Sequence, residues 1–418
     1  MTSRERVQTA LAHRAPDRIP VDFGSTAVTG IHVSCVAGLR ARYGLPQHPV
    51  KVVEPYQMLG EVEDDLKAAL GIDTDALPGR NTLFGFPNED WREFRLPWGQ
   101  VALVPGGFRT STDANGDLLL YPQGDLSAPP SGRLPVGGFF FDTIVRQPPL
   151  DEDRLDPADN LEEFQPLADE DLDHLRRARE RLDGSTRAVV GTFGGTALGD
   201  IALVPAPFLK RPKGIRDIAE WYIATATRPD YVHAVFARQT DIALENLERI
   251  RRTVGDRVDV VFTCGTDFGT QTSSFCSVET FQSLYAPYYR KVNDWIHAHT
   301  NWKIFKHSCG AVEPFLGPLI EAGFDIVNPV QCSAAGMDPA RLKAKYGDRL
   351  TFWGGGVDTQ KTLPFGTPAE VREQVLRRCE IFSRGGGFVF NAVHNIQART
   401  PVENVAAMFE AVREFNGG

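Results

Sequence analysis

A histidine and a cysteine separated by one residue are the side chains in this sequence best suited to chemistry. His307 and Cys309 follow the apolar and aromatic run 302–306. Residues i and i+2 of an extended segment point to the same side, so the imidazole and the thiolate would face one space. Nitrogen and sulfur donors of this kind suit zinc, which needs at least one further protein ligand. The pair therefore predicts a zinc site.

The third ligand has two candidates. His394 follows the last predicted strand, and Cys332 follows the strand next after the one that carries His307. Each would lie at the same end of a parallel sheet as the first pair. The alternative interpretation is that His307 is a hydrogen-bonded structural histidine and Cys309 a small buried apolar residue.

Other polar side chains follow predicted strands in the same way. Asp267 and Asp358 are candidates for acid–base catalysis or for orienting a ligand histidine. Asp358 could instead cap the next helix, whereas Asp267 lies well before the helix that follows it. His32 could project into the same space or begin a helix. The candidate substrate-binding residues are His32, Gln271, Gln331, Asn391 and Gln397.

The elements that must position these residues alternate regularly from residue 186 onward. Short runs of β-branched and aromatic residues are separated by helical stretches, a pattern typical of a parallel sheet. The predicted strands are 19–23, 72–77, 187–191, 258–262, 302–306, 324–327, 350–353 and 388–390. Eight such strands close a (β/α)8 TIM barrel, whose active sites form at the carboxyl ends of the strands.

The remaining segments decorate this barrel. Thr2 and Glu5 have the spacing of a capping box and predict an N-terminal helix. Residues 90 to about 142 read as a β-rich insertion, and 151–183 and 215–254 as helical stretches. We predict one domain over 1–418, since the Gly-x-Gly-x-x-Gly turn that would favour a doubly wound sheet is missing from the sequence.

Composition narrows the class of protein. The net charge of −9 disfavours non-specific nucleic-acid binding, which needs a basic face. Six cysteines in 418 residues do not predict a disulfide framework. The sequence shows no signal-peptide core and no apolar run long enough to cross a bilayer, so we expect a cytoplasmic protein.

Several motifs resemble the uroporphyrinogen decarboxylase superfamily. They are the opening Arg4-Glu-Arg-Val and Pro16-Asp-Arg-Ile-Pro-Val-Asp22, then His307-Ser-Cys-Gly310, Phe324-Asp-Ile-Val-Asn-Pro329, Gly354-Gly-Gly-Val-Asp358 and Thr400-Pro-Val-Glu-Asn404. The likeness covers most of the chain except the insertion around 90–142. It implies a (β/α)8 barrel independently of the strand count.

The resemblance also implies one of two activities. Uroporphyrinogen decarboxylation uses an arginine-rich motif after the first strand, and the corresponding stretch 23–30 contains no arginine. Zinc-dependent methyl transfer with a corrinoid protein or a thiol uses a His-x-Cys pair, which corresponds to His307 and Cys309. The third zinc ligand of those members is a cysteine, and its position falls on His394 here.

We therefore predict a zinc-dependent methyltransferase that works with a separate corrinoid (cobalamin) protein. The alternative is a metal-dependent or cofactor-free lyase or decarboxylase acting on a small organic acid, with Asp267 and His394 as acid and base. A non-catalytic binding barrel is a third class, disfavoured by the density of ionisable groups at the mouth. A homodimer is compatible with the sequence.

Overall fold

A computed structural model describes residues 1–162, 164–193 and 198–418. The strands are Ile31–His32 (β1), Val52–Glu54 (β2), Leu59–Gly60 (β3), Thr74–Pro78 (β4), Arg92–Arg95 (β5), Val101–Val104 (β6), Thr110–Thr112 (β7), Leu118–Leu120 (β8), Gly132–Leu134 (β9), Asp142–Thr143 (β10), Ala188–Thr192 (β11), Val260–Cys264 (β12), Lys303–His307 (β13), Ile326–Asn328 (β14), Thr351–Trp353 (β15) and Phe388–Val389 (β16). The helices are Ser3–Leu11 (α1), Val33–Arg42 (α2), Asp64–Leu70 (α3), Asp169–Arg181 (α4), Ile218–Thr227 (α5), Pro229–Val254 (α6), Val278–Thr280 (α7), Ala286–His299 (α8), Glu313–Glu321 (α9), Pro339–Tyr346 (α10), Thr362–Phe365 (α11), Pro368–Phe382 (α12) and Val402–Phe415 (α13).

Seven strands form one parallel sheet in the order β16-β15-β14-β13-β12-β11-β4. The predicted first strand, 19–23, joins the two edges of that sheet. Val21 makes a parallel bridge to Phe390, and its carbonyl accepts a hydrogen bond of 2.8 Å from the amide of Asp73, just before β4. The sheet thus curls into the predicted (β/α)8 barrel, with its eighth strand reduced to this short bridge.

The barrel is filled by side chains that alternate along its strands, as the two-residue period of a strand requires. The buried interior cluster contains Val190, Val260, Phe305, Ile326, Trp353 and Val389. Helix α1 adds Val7 and Leu11 to the same cluster, so it closes the amino-terminal end of the barrel. The predicted capping box between Thr2 and Glu5 begins this helix.

Two helical predictions need correction. The stretch 215–254 is two helices, because α5 ends before Arg228 and Pro229 occupies the first turn of α6. Proline lacks an amide hydrogen and so suits the first turn of a helix but not its interior. Among the described residues of 151–183, the α-helix is α4, and short 3-10 turns precede it at Glu152–Arg154 and Pro157–Asn160. Pro157 and Pro166 disfavour a continuous helix before α4, because proline does not fit the interior of a helix.

The segment predicted as a β-rich insertion contains strands β5 to β10. Strands β5 and β6 form an antiparallel hairpin, and β7 to β10 form a four-stranded antiparallel sheet. The carbonyl of Phe139 in this segment lies 3.0 Å from Nε2 of His32. The insertion therefore contacts the segment that follows the first barrel strand. The single domain over 1–418 stays a prediction.

Among the described helices, none combines the length and the apolar character needed to cross a membrane.

Candidate metal centre

Three predicted ligands converge at the carboxyl end of the barrel strands. His307 ends β13, Cys309 follows it by two residues, and His394 lies in the loop after β16. Their ligand atoms all lie within 4.8 Å of one another. Nε2 of His307 is 3.4 Å from Sγ of Cys309, and the two imidazole rings have centroids 5.4 Å apart. Two nitrogens and one sulfur therefore surround one small space.

Each imidazole is held in place by an asparagine. Nδ1 of His307 lies 2.6 Å from Oδ1 of Asn328, whose Nδ2 donates to the carbonyl of Trp353 at 2.8 Å. Nδ1 of His394 lies 2.9 Å from Oδ1 of Asn395. Since an amide oxygen can only accept, both rings carry their hydrogen on Nδ1. Each Nε2 is therefore unprotonated and has a lone pair available. A free Nε2 opposite a fixed Nδ1–H is the arrangement found in metal-binding histidines.

A carboxylate lies beside the three donors. Oδ1 of Asp267 accepts a hydrogen bond of 2.7 Å from the amide of Cys309, and it lies 4.0 Å from Nε2 of His307. The Asp267 side chain is 17% exposed, so it faces the mouth without being fully covered. Its bond to the Cys309 amide fixes the loop that presents the thiol.

The loop after β13 packs in close backbone contact with the loop after β12. Gly310 has a φ of +88°, and a Cβ there would lie 2.5 Å from the backbone of Gly269. Only glycine combines that backbone conformation with so close an approach. Gly310 therefore keeps Asp267 and Cys309 on adjoining loops within hydrogen-bonding distance.

Burial sets the protonation states in this centre. Desolvation lowers the pKa of His307 well below its usual range, with the neighbouring His394 as the next cause. Desolvation likewise lowers the pKa of His394. It raises the pKa of the Cys309 thiol, to which the Asp267 charge adds, and it raises the pKa of Asp267 itself. The two imidazoles are thus neutral at physiological pH, the form that binds metal, and the thiol would lose its proton when a metal binds.

A buried lysine lies directly behind the centre. Lys306 is fully buried and faces the surrounding helices, and its Nζ donates to the carbonyl of Thr266 at 2.6 Å. The same Nζ lies 5.3 Å from the ring centroid of Phe268. A fixed positive charge at this depth favours the anionic forms of Asp267 and Cys309.

The predicted substrate-binding residues form two groups. Oε1 of Gln331 accepts from the amide of Gly310 at 2.8 Å, and its Nε2 donates to Oε1 of Gln271 at 2.8 Å. Both glutamines therefore border the Cys309 loop. Nδ2 of Asn391 donates to the carbonyl of Asp22, while its buried Oδ1 has no hydrogen-bond partner in the structure. Gln397 donates to Oδ1 of Asn395 and so contacts the centre only through the residue that holds His394.

Three predicted candidates are engaged elsewhere. His32 is buried and caps α2 through Ser34, with its other ring nitrogen at the carbonyl of Phe139. Burial lowers its pKa to about 4. Asp358 accepts from the amides of Gln360 and Lys361 at 2.9 and 2.6 Å, which closes a turn before α11 rather than capping that helix. Cys332 is not among the three clustered donors, and its thiol donates to the carbonyl of Val330 at 3.4 Å.

The sequence interpretation missed the residues that orient the centre. Asn328 and Asn395 hold the two histidines, and Asp22 accepts hydrogen bonds from Thr74 and Trp353 inside the barrel. Asn328 is the last residue of β14, and Asn395 adjoins His394 in sequence. The available signal was the position of Asn328 at the end of the strand next to that of His307 and of Asn395 beside His394, because metal-binding histidines need a partner on their second nitrogen.

The family comparison agrees with this architecture. The profile of the uroporphyrinogen decarboxylase (URO-D) family matches residues 144–415, well over half of the chain. The chain belongs to the uroporphyrinogen decarboxylase family. The predicted resemblance is thereby confirmed, and the match begins just after the β-rich insertion.

Individual relatives are similar over a shorter stretch. The uroporphyrinogen decarboxylase of Psychromonas ingrahamii is 33% identical over 89 residues, which cover 20% of this chain and 24% of that protein. The enzyme of Coxiella burnetii is 30% identical over 89 residues, with the same coverage. The match thus spans about a quarter of the length of these curated relatives.

A solved structure is similar over nearly the whole length. A methyltransferase from Methanosarcina mazei has a TM-score of 0.55 and 16% sequence identity, and the match covers 99% of each chain. At this identity the likeness establishes the fold, which is the predicted TIM barrel. Together with the family profile, it identifies the chain as a member of an enzyme family.

Proposed function

We propose that this chain is a zinc-dependent methyltransferase that moves a methyl group between a small methylated substrate or thiol and a separate corrinoid protein. The observation that carries the proposal is the convergence of His307, Cys309 and His394 within 4.8 Å at the mouth of the barrel. Enzymes with this fold have their active sites at the carboxyl ends of the barrel strands.

The three donors fit zinc by their chemistry. Zinc binds histidine nitrogen and cysteine sulfur, and catalytic sites use three protein ligands and leave one position open. Bonds of about 2.0–2.3 Å place tetrahedral ligand atoms roughly 3.5 Å apart, close to the 3.4 Å between Nε2 of His307 and Sγ of Cys309. Bound there, zinc would lower the pKa of a thiol or hydroxyl group at its open position.

The protein's own residues would prepare this chemistry. Asn328 and Asn395 fix the imidazole tautomers, so that both Nε2 atoms point into the centre. The bond between Asp267 and the Cys309 amide fixes the thiol. With its raised pKa, Asp267 would accept the proton that a substrate thiol or hydroxyl releases, since it lies at the rim of the same space.

The mouth suits a small substrate without many negative charges. Gln271 and Gln331 border the Cys309 loop with neutral amides, and Asn391 offers an unpartnered acceptor. The stretch 23–30, where true uroporphyrinogen decarboxylases have arginines, contains neither arginine nor lysine. That stretch therefore offers no cationic side chain to bind a substrate with several carboxylates.

Methyl transfer also has support from the solved structure. The Methanosarcina mazei protein, described as a methyltransferase, is similar over 99% of this chain. The corrinoid would be supplied by a partner, because the sequence lacks an Asp-x-His-x-x-Gly corrinoid-binding motif.

A lyase or decarboxylase is the second candidate. Burial raises the pKa of Asp267, and the charges of Asp267 and His394 influence each other. A carboxyl group with a raised pKa beside an imidazole is an acid–base pair in its own right. The family membership and the local identity to decarboxylases favour this candidate.

Metal content separates the proposed methyltransferase from a cofactor-free lyase, and the methyl-transfer assay that follows separates it from a metal-dependent one. We expect about one zinc per chain in the purified protein and loss of zinc in His307→Ala and Cys309→Ala. Cys332→Ala is the matched control, because it removes a half-buried thiol outside the cluster and should keep its zinc. Zinc would be measured by inductively coupled plasma mass spectrometry.

A zinc-containing protein would then be assayed with methylcobalamin and a small thiol. Transfer that depends on Cys309 would support the methyltransferase. A wild-type protein without zinc, even after growth and purification with added zinc, would contradict it and favour the acid–base lyase.

A further inference from the structure

A cavity of about 610 Å³ lies outside the barrel wall, between the beginning of α10 and the first turns of α12. Cys332, Ala334 and Met337 supply apolar surface, and Arg341, Arg377 and Arg378 supply positive charge. The volume is in the range of pockets that hold small organic ligands. None of these residues is among the three clustered donors His307, Cys309 and His394.

The carboxylates at this cavity are largely engaged by the backbone. Asp338 caps α10 by accepting from the amide of Arg341 at 2.8 Å. Glu370 completes the capping box of α12 with Thr367. Of the lining acids, Glu373 alone has neither a hydrogen bond nor an ion pair within the described part of the chain. Asp338 and Glu370 keep their negative charge, but they bind backbone amides rather than the arginines.

Two of the three arginines at the cavity are unpaired in the ranges that the structure describes. Neither Arg377 nor Arg378 makes a hydrogen bond or an ion pair with any described residue. Arg341 is 3.5 Å from Glu313, but that carboxylate also pairs with Lys345 at 2.8 Å. The lining thus holds three carboxylates and three guanidinium groups, of which Arg377 and Arg378 have no partner among the described residues.

The cavity shares a wall with the barrel mouth. Gln331 accepts a hydrogen bond from the amide of Gly310 on the mouth side, and the next residue, Cys332, lines the cavity. One short segment after β14 thus separates the cavity from the loop that carries Cys309.

We propose that this cavity binds a small organic anion. Its phosphate or carboxylate group would pair with Arg377 and Arg378, whose planar guanidinium groups match the geometry of both acids. Its carbon skeleton would lie over Met337 and Cys332. This site is independent of the proposed function, because it needs neither zinc nor methyl transfer.

Isothermal titration calorimetry with glycerol 3-phosphate and, separately, succinate tests the proposal. We expect at least one of them to bind the wild-type protein. The double variant Arg377→Ala/Arg378→Ala should weaken that Kd by about tenfold or more, because both charge-assisted contacts are lost. Arg372→Ala is the matched control, since this arginine lies on the same helix but pairs with Glu414.

The outcome also identifies the source of the anion. Binding of glycerol 3-phosphate alone indicates a phosphate ester, and binding of succinate alone indicates a dicarboxylic acid. Failure of both compounds to bind would overturn the proposal, as would an unchanged Kd in a double variant whose thermal unfolding matches that of the wild type. The titrations give the same answer whether or not the protein contains zinc.

Discussion

The two ends of the barrel use polar groups in opposite ways. At the amino-terminal end, Arg6 pairs with Asp17 and with the fully buried Asp73 at 2.6–3.0 Å, beneath the apolar side chains of α1. At the carboxyl end, His307 and His394 each turn an unprotonated Nε2 toward the centre, and the buried Oδ1 of Asn391 has no hydrogen-bond partner among the described residues. One end is closed by matched charges, and the other is left with unmatched donors and acceptors.

From this difference we expect the amino-terminal end to determine stability and the carboxyl end to carry the chemistry. Matched buried charges hold a structure together only while both partners are present. Unpartnered polar atoms destabilise a fold and are retained where a ligand satisfies them. Substitutions at the amino-terminal end should therefore change the free energy of unfolding, and those at the mouth should change metal affinity.

The largest effect should come from Arg6→Ala. Removing the guanidinium leaves the buried Asp73 with Arg18 as its remaining cationic partner, at 3.1 Å. We expect a loss of about 3 kcal/mol in the free energy of unfolding, measured by urea denaturation, with zinc content unchanged. Arg176→Ala, which removes an exposed pair with Asp173, is the control and should change stability by about 0.5 kcal/mol or less. Equal effects of the two substitutions would refute the contrast.

At the mouth, Asn328→Ala should weaken zinc binding by about 10–100-fold, because Nδ1 of His307 loses the acceptor that orients the ring. Competition with a chromogenic chelator would measure the affinity. Asn404→Ala removes a buried asparagine that binds the carbonyls of Leu363 and Gly366, away from the centre. It should lower stability and leave the zinc affinity as it is. A wild-type affinity in Asn328→Ala would show that the ring needs no such support.

A smaller effect is expected for Asp358→Ala. This carboxylate accepts from two backbone amides before α11, so its loss should cost about 1 kcal/mol of stability. Zinc content and methyl transfer should not change. Asp358→Asn keeps an acceptor oxygen for this turn and should recover most of the stability. Loss of methyl transfer in both variants, at full zinc content, would instead favour the predicted catalytic role.

The smallest effect is the dependence of stability on acid pH at the amino-terminal end. The hydrogen bonds from Arg6 lower the pKa of Asp17 from 3.8 to about 2. A carboxyl group with a lowered pKa in the folded state stabilises the protein above its unfolded pKa, and this contribution is lost as the pH falls from about 4 toward 2. Urea midpoints should therefore fall less steeply over this range in Asp17→Asn than in the wild type. Parallel curves would show that the pair contributes nothing; the effect is small because Asp17 is 40% exposed.

The barrel could be predicted because its strands carry a strong local signal. Runs such as 187–191 and 258–262 are apolar on both faces, as strands buried in a parallel sheet must be. The break at Arg228 was missed although Pro229 was visible, because the apolar period continues through it. Val21 could be placed in a strand, but the reduction of that strand to one bridge depends on tertiary pairing.

The centre was less accessible to sequence reasoning. His307 and Cys309 lie on one strand end, so their spacing predicts that they face the same space. The choice between His394 and Cys332 depends on how the loops after β14 and β16 turn, which no local pattern encodes. Asn328 and Asn395 are recognisable as partners only once the ring nitrogens have been placed.

The bridge between Val21 and Phe390 has a consequence for the order in which the chain folds. These residues are separated by most of the sequence, and so long a loop makes their pairing a late event. His307 and Cys309 lie on strands that pair with their sequence neighbours, whereas His394 follows the bridge by four residues. During synthesis the first two donors would come together on the growing sheet, and the third would arrive only when the ring closes. The three donors would then come together only when the barrel is complete, so an incomplete chain would lack one ligand of the proposed zinc centre.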